Sequence, residues 1–203
     1  MYHSDRPLLQ TPEAESKTGA ISTMTISSAM SFEDAIAAAQ SLLNQREQAV
    51  IADADFGAAT AKLTATQNGA RGFFVAYLTD SRALVDTLIP VVAAALQHST
   101  EIPPGLLVKN LAMSTAMEIT HRRSQNLDQA AQSAQVQQRT AALIALLGFP
   151  YVKAEAEGLW QGIAAEAGDY AAFLKRWGYD AEQKEAIAHS LQTVCPEVTT
   201  IAP

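Results

Sequence analysis

The sequence predicts an all-α protein, a single-domain irregular bundle of about seven or eight helices behind a disordered N-terminal tail. Three observations carry that prediction. Apolar residues recur at i, i+3 and i+4 through residues 31–195. Residues suited to capping helices precede most of these runs. The one stretch rich in aromatic and β-branched residues, 72–78, has no partner strand elsewhere and reads as a short buried helix. The centre of the bundle is residues 105–123. There Leu106, Leu107, Val108, Leu111, Ala112, Met113, Ala116 and Met117 fall on nearly every side of a helical cylinder, and Lys109 is the only charge before Glu118. A helix without a wide solvated face belongs in the middle of a core.

Residues 1–30 combine Ser, Thr, Pro and charge without an apolar period, which predicts a mobile tail. Order begins at Ser31, whose hydroxyl caps a helix carrying Phe32, Ala35, Ile36, Ala39, Leu42 and Leu43 on one face and fraying near residues 44–47. Asp53 or Asp55 is the expected cap of a second helix with Phe56, Ala59 and Leu63, stopped at Asn68 and Gly69. Ser81 is the expected cap of a helix with Leu84, Val85, Leu88, Val92 and Leu96, broken near Ile89 because Pro90 lacks an N–H. Glu101, Ile102, Pro103, Pro104 and Gly105 are expected to form the turn before the central helix, since proline at a first helical position suits a helix start.

That helix ends in His121, Arg122 and Arg123, cations at the negative end of the helix dipole. Asn126 then caps a long helix with Leu127, Ala130, Ala134, Ala141 and Ile144 in a stripe, antiparallel to the central one because the connection is short. Gly148 and Pro150 mark the next boundary, before Val152, Ala156, Leu159, Trp160 and Ile163. Gly168 closes that helix, Asp169 caps a short one carrying Tyr170, Phe173, Leu174 and Trp177, and Gly178 stops it. Asp180 with Gln183 reads as a capping box for the last helix, which Pro196 ends; residues 196–203 are expected to fray.

Of the 203 residues, 48% are hydrophobic and 17% charged, a composition that buries a core. The net charge of -7 argues against nucleic acid, whose phosphates need clustered Lys and Arg. No apolar run approaches the roughly 20 residues of a membrane span, and residues 88–96, the most apolar window, end at Gln97, His98 and Ser99. Asp5, Pro7, Glu13 and Glu15 leave no room for the apolar region of a secretory signal. A soluble, cytoplasmic protein is expected, and a single cysteine, Cys195, allows no internal disulfide.

Four constellations could carry chemistry. Glu118 and His121 form an E-x-x-H pair on the central helix; a di-iron bundle uses two such pairs plus one Glu from each of two other helices, and here the second pair is missing. Glu185 and His189, at i and i+4, are a weak substitute, and no metal is favoured. Gly69, Arg71 and Gly72 could cradle a phosphate, although a helix-to-helix corner accounts for the glycines. Cys195 lies six residues from His189, on a different helix face, and reads as a structural thiol. Tyr151, Trp160, Tyr170, Phe173, Trp177 and Tyr179 could line a pocket, but their helical spacing suits a core. With no catalytic set, the expectation is an accessory or regulatory protein that acts by binding another protein, without a cofactor and with self-association open. The alternatives are a metal-dependent oxidase or hydrolase using Glu118 and His121, and a carrier of an apolar or tetrapyrrole ligand.

Overall fold

The computed structural model describes residues 30–97, 99 and 103–200. Among them are ten α-helices and no strand: α1 (Phe32–Glu47), α2 (Asp53–Leu63), α3 (Gln67–Thr79), α4 (Leu84–Thr87), α5 (Ile89–Leu96), α6 (Pro103–Arg123), α7 (Leu127–Leu147), α8 (Phe149–Ala164), α9 (Gly168–Trp177) and α10 (Ala181–Val194). The protein is all-α, with more helices than the sequence suggests. The tail expected over residues 1–30 lies outside the described residues except for Met30.

Several caps are those the sequence indicates. The Ser31 hydroxyl accepts the Asp34 amide at 3.1 Å, Asn126 caps α7, and Asp180 and Gln183 form a reciprocal capping box on α10. α4 and α5 separate at Leu88, with Pro90 in the first turn of α5, where its missing N–H costs nothing. Gly178, at φ 65°, ends α9 in the left-handed conformation.

Other boundaries differ from the expectation. The N-cap of α2 is Ala52, and Asp55 reaches back to its amide at 3.4 Å, so neither aspartate is itself the cap. Asn68 and Gly69 do not stop α2; it gives way to Thr64, and the Thr66 hydroxyl caps α3 by accepting the Gly69 amide at 3.1 Å. Ser81 is not a cap, because residues 80–83 are held as a connection and α4 starts only at Leu84. α9 begins at Gly168 from an Ala167 N-cap, so Asp169 lies inside its first turn. Residues 196–200 do not fray: they form a 3-10 turn that buries Val198 in the core.

α6 and α7 form the central hairpin, with α8 and α10 against other sides of α6. α3 packs chiefly on α1 and touches α6 only sparsely. Gly72 sets the first of these contacts: a Cβ there would lie 2.5 Å from the Ala35 Cβ and 2.8 Å from the Ile36 nitrogen, so any side chain would push the helices apart. One apolar cluster runs from Ala35 to Val198 and includes the stacked rings of Phe73 and Tyr77, 5.3 Å apart.

The end of α3 is secured by a charge. Arg139, on α7, is 3% exposed. Its Nη1 donates to the carbonyls of Leu78 (3.1 Å) and Asp80 (2.5 Å), with a longer contact to Tyr77 (3.4 Å), and its Nε donates to the Asp86 carboxylate at 2.7 Å. Gln135, one turn earlier on α7, also donates to the Asp80 carbonyl, at 2.8 Å. Arg82 in turn grips the Asp80 carboxylate and reaches Asn44 (2.8 Å) and Glu47 (2.7 Å) at the end of α1. Carbonyls at the last turn of a helix have no partner within it, and here a side chain from another helix supplies one.

Two stability predictions follow from this packing. Leu111→Ala, at a fully buried site, is expected to cost roughly 2–5 kcal/mol, and Gln132→Ala, at an exposed one, no more than about half a kcal/mol. Arg139→Met strands buried carbonyls and is expected to cost roughly 2–5 kcal/mol, whereas Asp86→Asn, at a carboxylate 57% exposed, should cost about 1 kcal/mol or less. Urea unfolding of the variants measures both. Equal losses at Arg139 and Asp86 would mean that the ion pair, and not the carbonyl contacts, is what Arg139 contributes.

Candidate functional site

α6 is apolar on nearly every side, which predicts that it is covered on every side; the structure leaves one stripe only partly covered. Leu106, Lys109, Asn110, Met113 and Met117 recur at three and four residues and so share a face, and none of them is fully buried. α3, with Phe32 of α1, forms one wall above this stripe, and α8 and α9 form the other. The cleft between them encloses about 1180 Å³. A second hollow of about 480 Å³ continues along α6 past Met117 to His121, with Gln129 and Gln132 of α7 on its far side. Thr79, Asn110, Met113 and Val136 line both, so the two hollows make one groove.

Each rim carries one large exposed apolar side chain. Val75 from α3 is 44% exposed and Trp177 from α9 is 50% exposed, and both line the cleft. Phe74, Leu78 and Phe173 add apolar wall. Between the walls Tyr170, itself 6% exposed, donates its hydroxyl to Glu155 at 2.7 Å. Burial, followed by that bond to Glu155, pushes the phenol far above its ordinary range. Gly105 makes room for the acid: a Cβ there would sit 3.2 Å from the Glu155 carboxylate. The Lys109 ammonium lies 5.5 Å from the Tyr170 ring centroid, and the Arg71 guanidinium lies 5.2 Å from that of Phe32.

The pairs that the sequence singles out lie apart from this chemistry. Glu118 is bound by its own neighbour Arg122, through contacts of 2.7 and 2.9 Å. His121 turns to the second hollow, while Glu185 and His189 are exposed on α10. Among the described residues no three His, Cys, Asp or Glu side chains gather as a metal ion requires. Gly69 and Gly72 serve close packing: a Cβ on Gly69 would meet the Leu63 carbonyl at 1.9 Å. Arg71 from that set does reach the cleft. Cys195 is fully buried, and burial raises its thiol to about 11, the opposite of what a nucleophile needs.

The aromatic set divides. Tyr179 is core, and Tyr151 donates to the Leu96 and Ser99 carbonyls at 3.0 and 2.6 Å. Tyr170, Phe173 and Trp177 line the cleft. The sequence held one signal for the groove that periodicity alone passes over. Lys109 and Asn110 are the polar residues in the first turns of an otherwise apolar helix, and they mark the side its neighbours only partly cover.

A family model described as "Uncharacterised conserved protein UCP020893" matches residues 31–194. The chain belongs to that family. The match opens on the cap of α1 and closes with the last residue of α10, so the family segment contains all ten helices and every wall of the groove. No curated protein and no solved structure matches significantly. Among the described residues no helix is long and apolar enough to cross a membrane.

The buried phenols give this family member a testable alkaline limit. Burial raises Tyr151 and Tyr179 to about 12, and Tyr77 and Tyr170 further. A phenol raised on folding stabilises the fold fully below its unfolded value near 10 and stops doing so as pH climbs through the folded value. Unfolding free energy should therefore begin to fall near pH 9, where the Cys195 thiol ionises in the unfolded chain, and fall more steeply between about 10 and 12 as the phenols add to it. Phenolate absorbance from Tyr77, Tyr151, Tyr170 and Tyr179 should appear together with loss of helicity, leaving Tyr2, which lies outside the described residues, as the one tyrosine without this constraint. Phenolate from more than one of the five tyrosines at ordinary pH in an intact fold would contradict the burial of these rings.

Proposed function

We propose that this protein is an accessory or regulatory factor that works by holding a segment of another protein in the groove along α6. The observation that carries the reading is a partly covered stripe of the central helix flanked by rims that expose Val75 and Trp177. Large exposed apolar side chains gathered on one concave surface are uncommon on proteins that act alone. A groove floored by Leu106, Met113 and Met117 offers adaptable side chains, since methionine repacks readily around different shapes. The stripe from Leu106 to Met117 extends for about 17 Å at the helical rise, three turns, a length suited to a polypeptide segment.

A second reading, a carrier of an apolar ligand, draws on the volume of the cleft, which is about that of small-molecule sites. His121 is the described histidine on the groove and would be the axial ligand of a tetrapyrrole. The metal-dependent enzyme is less well supported, because the Glu118 carboxylate is already engaged by Arg122.

Wild type and a Trp177→Ala, Val75→Asp double variant, both altered only at exposed positions, separate these readings in one affinity purification. The expected outcome is a near-stoichiometric polypeptide retained by the wild type and lost from the variant, with no stoichiometric iron, manganese or zinc and no visible absorption band. A chromophore retained by the wild type would favour the carrier, and a metal lost on His121→Ala the enzyme.

A further inference from the structure

The distribution of ion pairs indicates what kind of segment the groove takes. Arg46, Arg82, Arg122, Arg123 and Arg139 each hold a carboxylate. Arg71 and Arg176, the remaining described arginines, form no ion pair with a described residue, and both line the cleft, as does Lys109. In a chain of net charge -7, unpaired arginines on one concave surface run against the general charge balance. The acids lining the same cleft are Glu155, which accepts from Tyr170, and Asp169. Three cations against two acids make this surface locally positive on an acidic molecule.

We infer that the occupant of the groove is an acidic amphipathic segment of a partner protein, with apolar side chains on the Met113 and Trp177 surfaces and carboxylates paired to Arg71, Lys109 and Arg176. This rests on the groove reading above and adds the partner's chemistry to it. Arginine suits the role because its planar fork pairs two oxygens of a carboxylate at once. Arg71 is already oriented by its stacking on Phe32, so less freedom is lost when it pairs. Complementary charge of this kind selects the partner and speeds its arrival, while the apolar floor holds it.

Selection of a random twelve-residue peptide library on the purified full chain tests the inference. Enriched peptides should carry an excess of Asp and Glu among apolar anchors. Resynthesised, they should lose affinity by about tenfold or more on Arg71→Glu with Arg176→Glu, and also as salt is raised. The two arginines are exposed, and matching thermal melts establish that the variant is folded. Peptides without an acidic excess, or indifferent to the charge reversal but lost on Trp177→Ala with Val75→Asp, overturn the acidic chemistry and leave the groove reading standing. No enrichment, or binders insensitive to both variants, overturns both.

Discussion

A buried guanidinium at the end of α3 is the interaction on which the arrangement of this protein depends. The last carbonyls of a helix need donors from outside it, and Tyr77 and Leu78 here are buried. Arg139 brings several N–H groups in one plane from α7, and its charge is offset by Asp86 at 2.7 Å. A buried cation without such partners would cost several kcal/mol; the carbonyls supply most of them, and the half-exposed Asp86 carboxylate adds little. Through Arg82 the same connection is tied to the end of α1. With its end fastened to α7 and its flank fitted against α1 at Gly72, α3 stands beside α6 without closing over it. The partly covered stripe of α6 is a consequence.

Much of the fold was legible because local chemistry decides it. Ser31, Asn126, Asp180 with Gln183, Pro90 and Gly178 act within a few residues of themselves, and the structure uses each as its chemistry dictates. Misplaced boundaries occur where two signals compete. Asn68 and Gly69 have the composition of a helix stop, yet Thr66 lies three residues ahead of Gly69 and caps a new helix there, so the glycine enters a first turn. Ser81 resembles a cap, but the connection around it is already committed to Arg82 and Arg139. Val198 is drawn into the core by tertiary contact that no local pattern announces.

The groove was less legible than the helices that build it. Periodicity reports that a helix face is apolar and is silent on whether a neighbour reaches it. Leu106, Met113 and Met117 therefore read as core although they line a cleft. Arg139 carries no local signal of its role, because its partners are main-chain carbonyls about 60 residues earlier, at separations of 59 to 62. The E-x-x-H pair drew notice for its spacing, but spacing cannot tell whether a carboxylate is free. An arginine four residues along satisfies this one.

With Arg139 fastening the end of α3, the α3 wall stands at a fixed distance from the α9 wall across the groove. The most direct measurement is the spin–spin distance distribution between labels at Val75→Cys and Ala172→Cys, with the buried Cys195 left unlabelled. A single narrow distribution in the otherwise wild-type chain, broadened or shifted when Arg139→Met is added under conditions where the protein remains folded, is the predicted result. A distribution that is broad from the start, or one that Arg139→Met leaves unchanged, would contradict it.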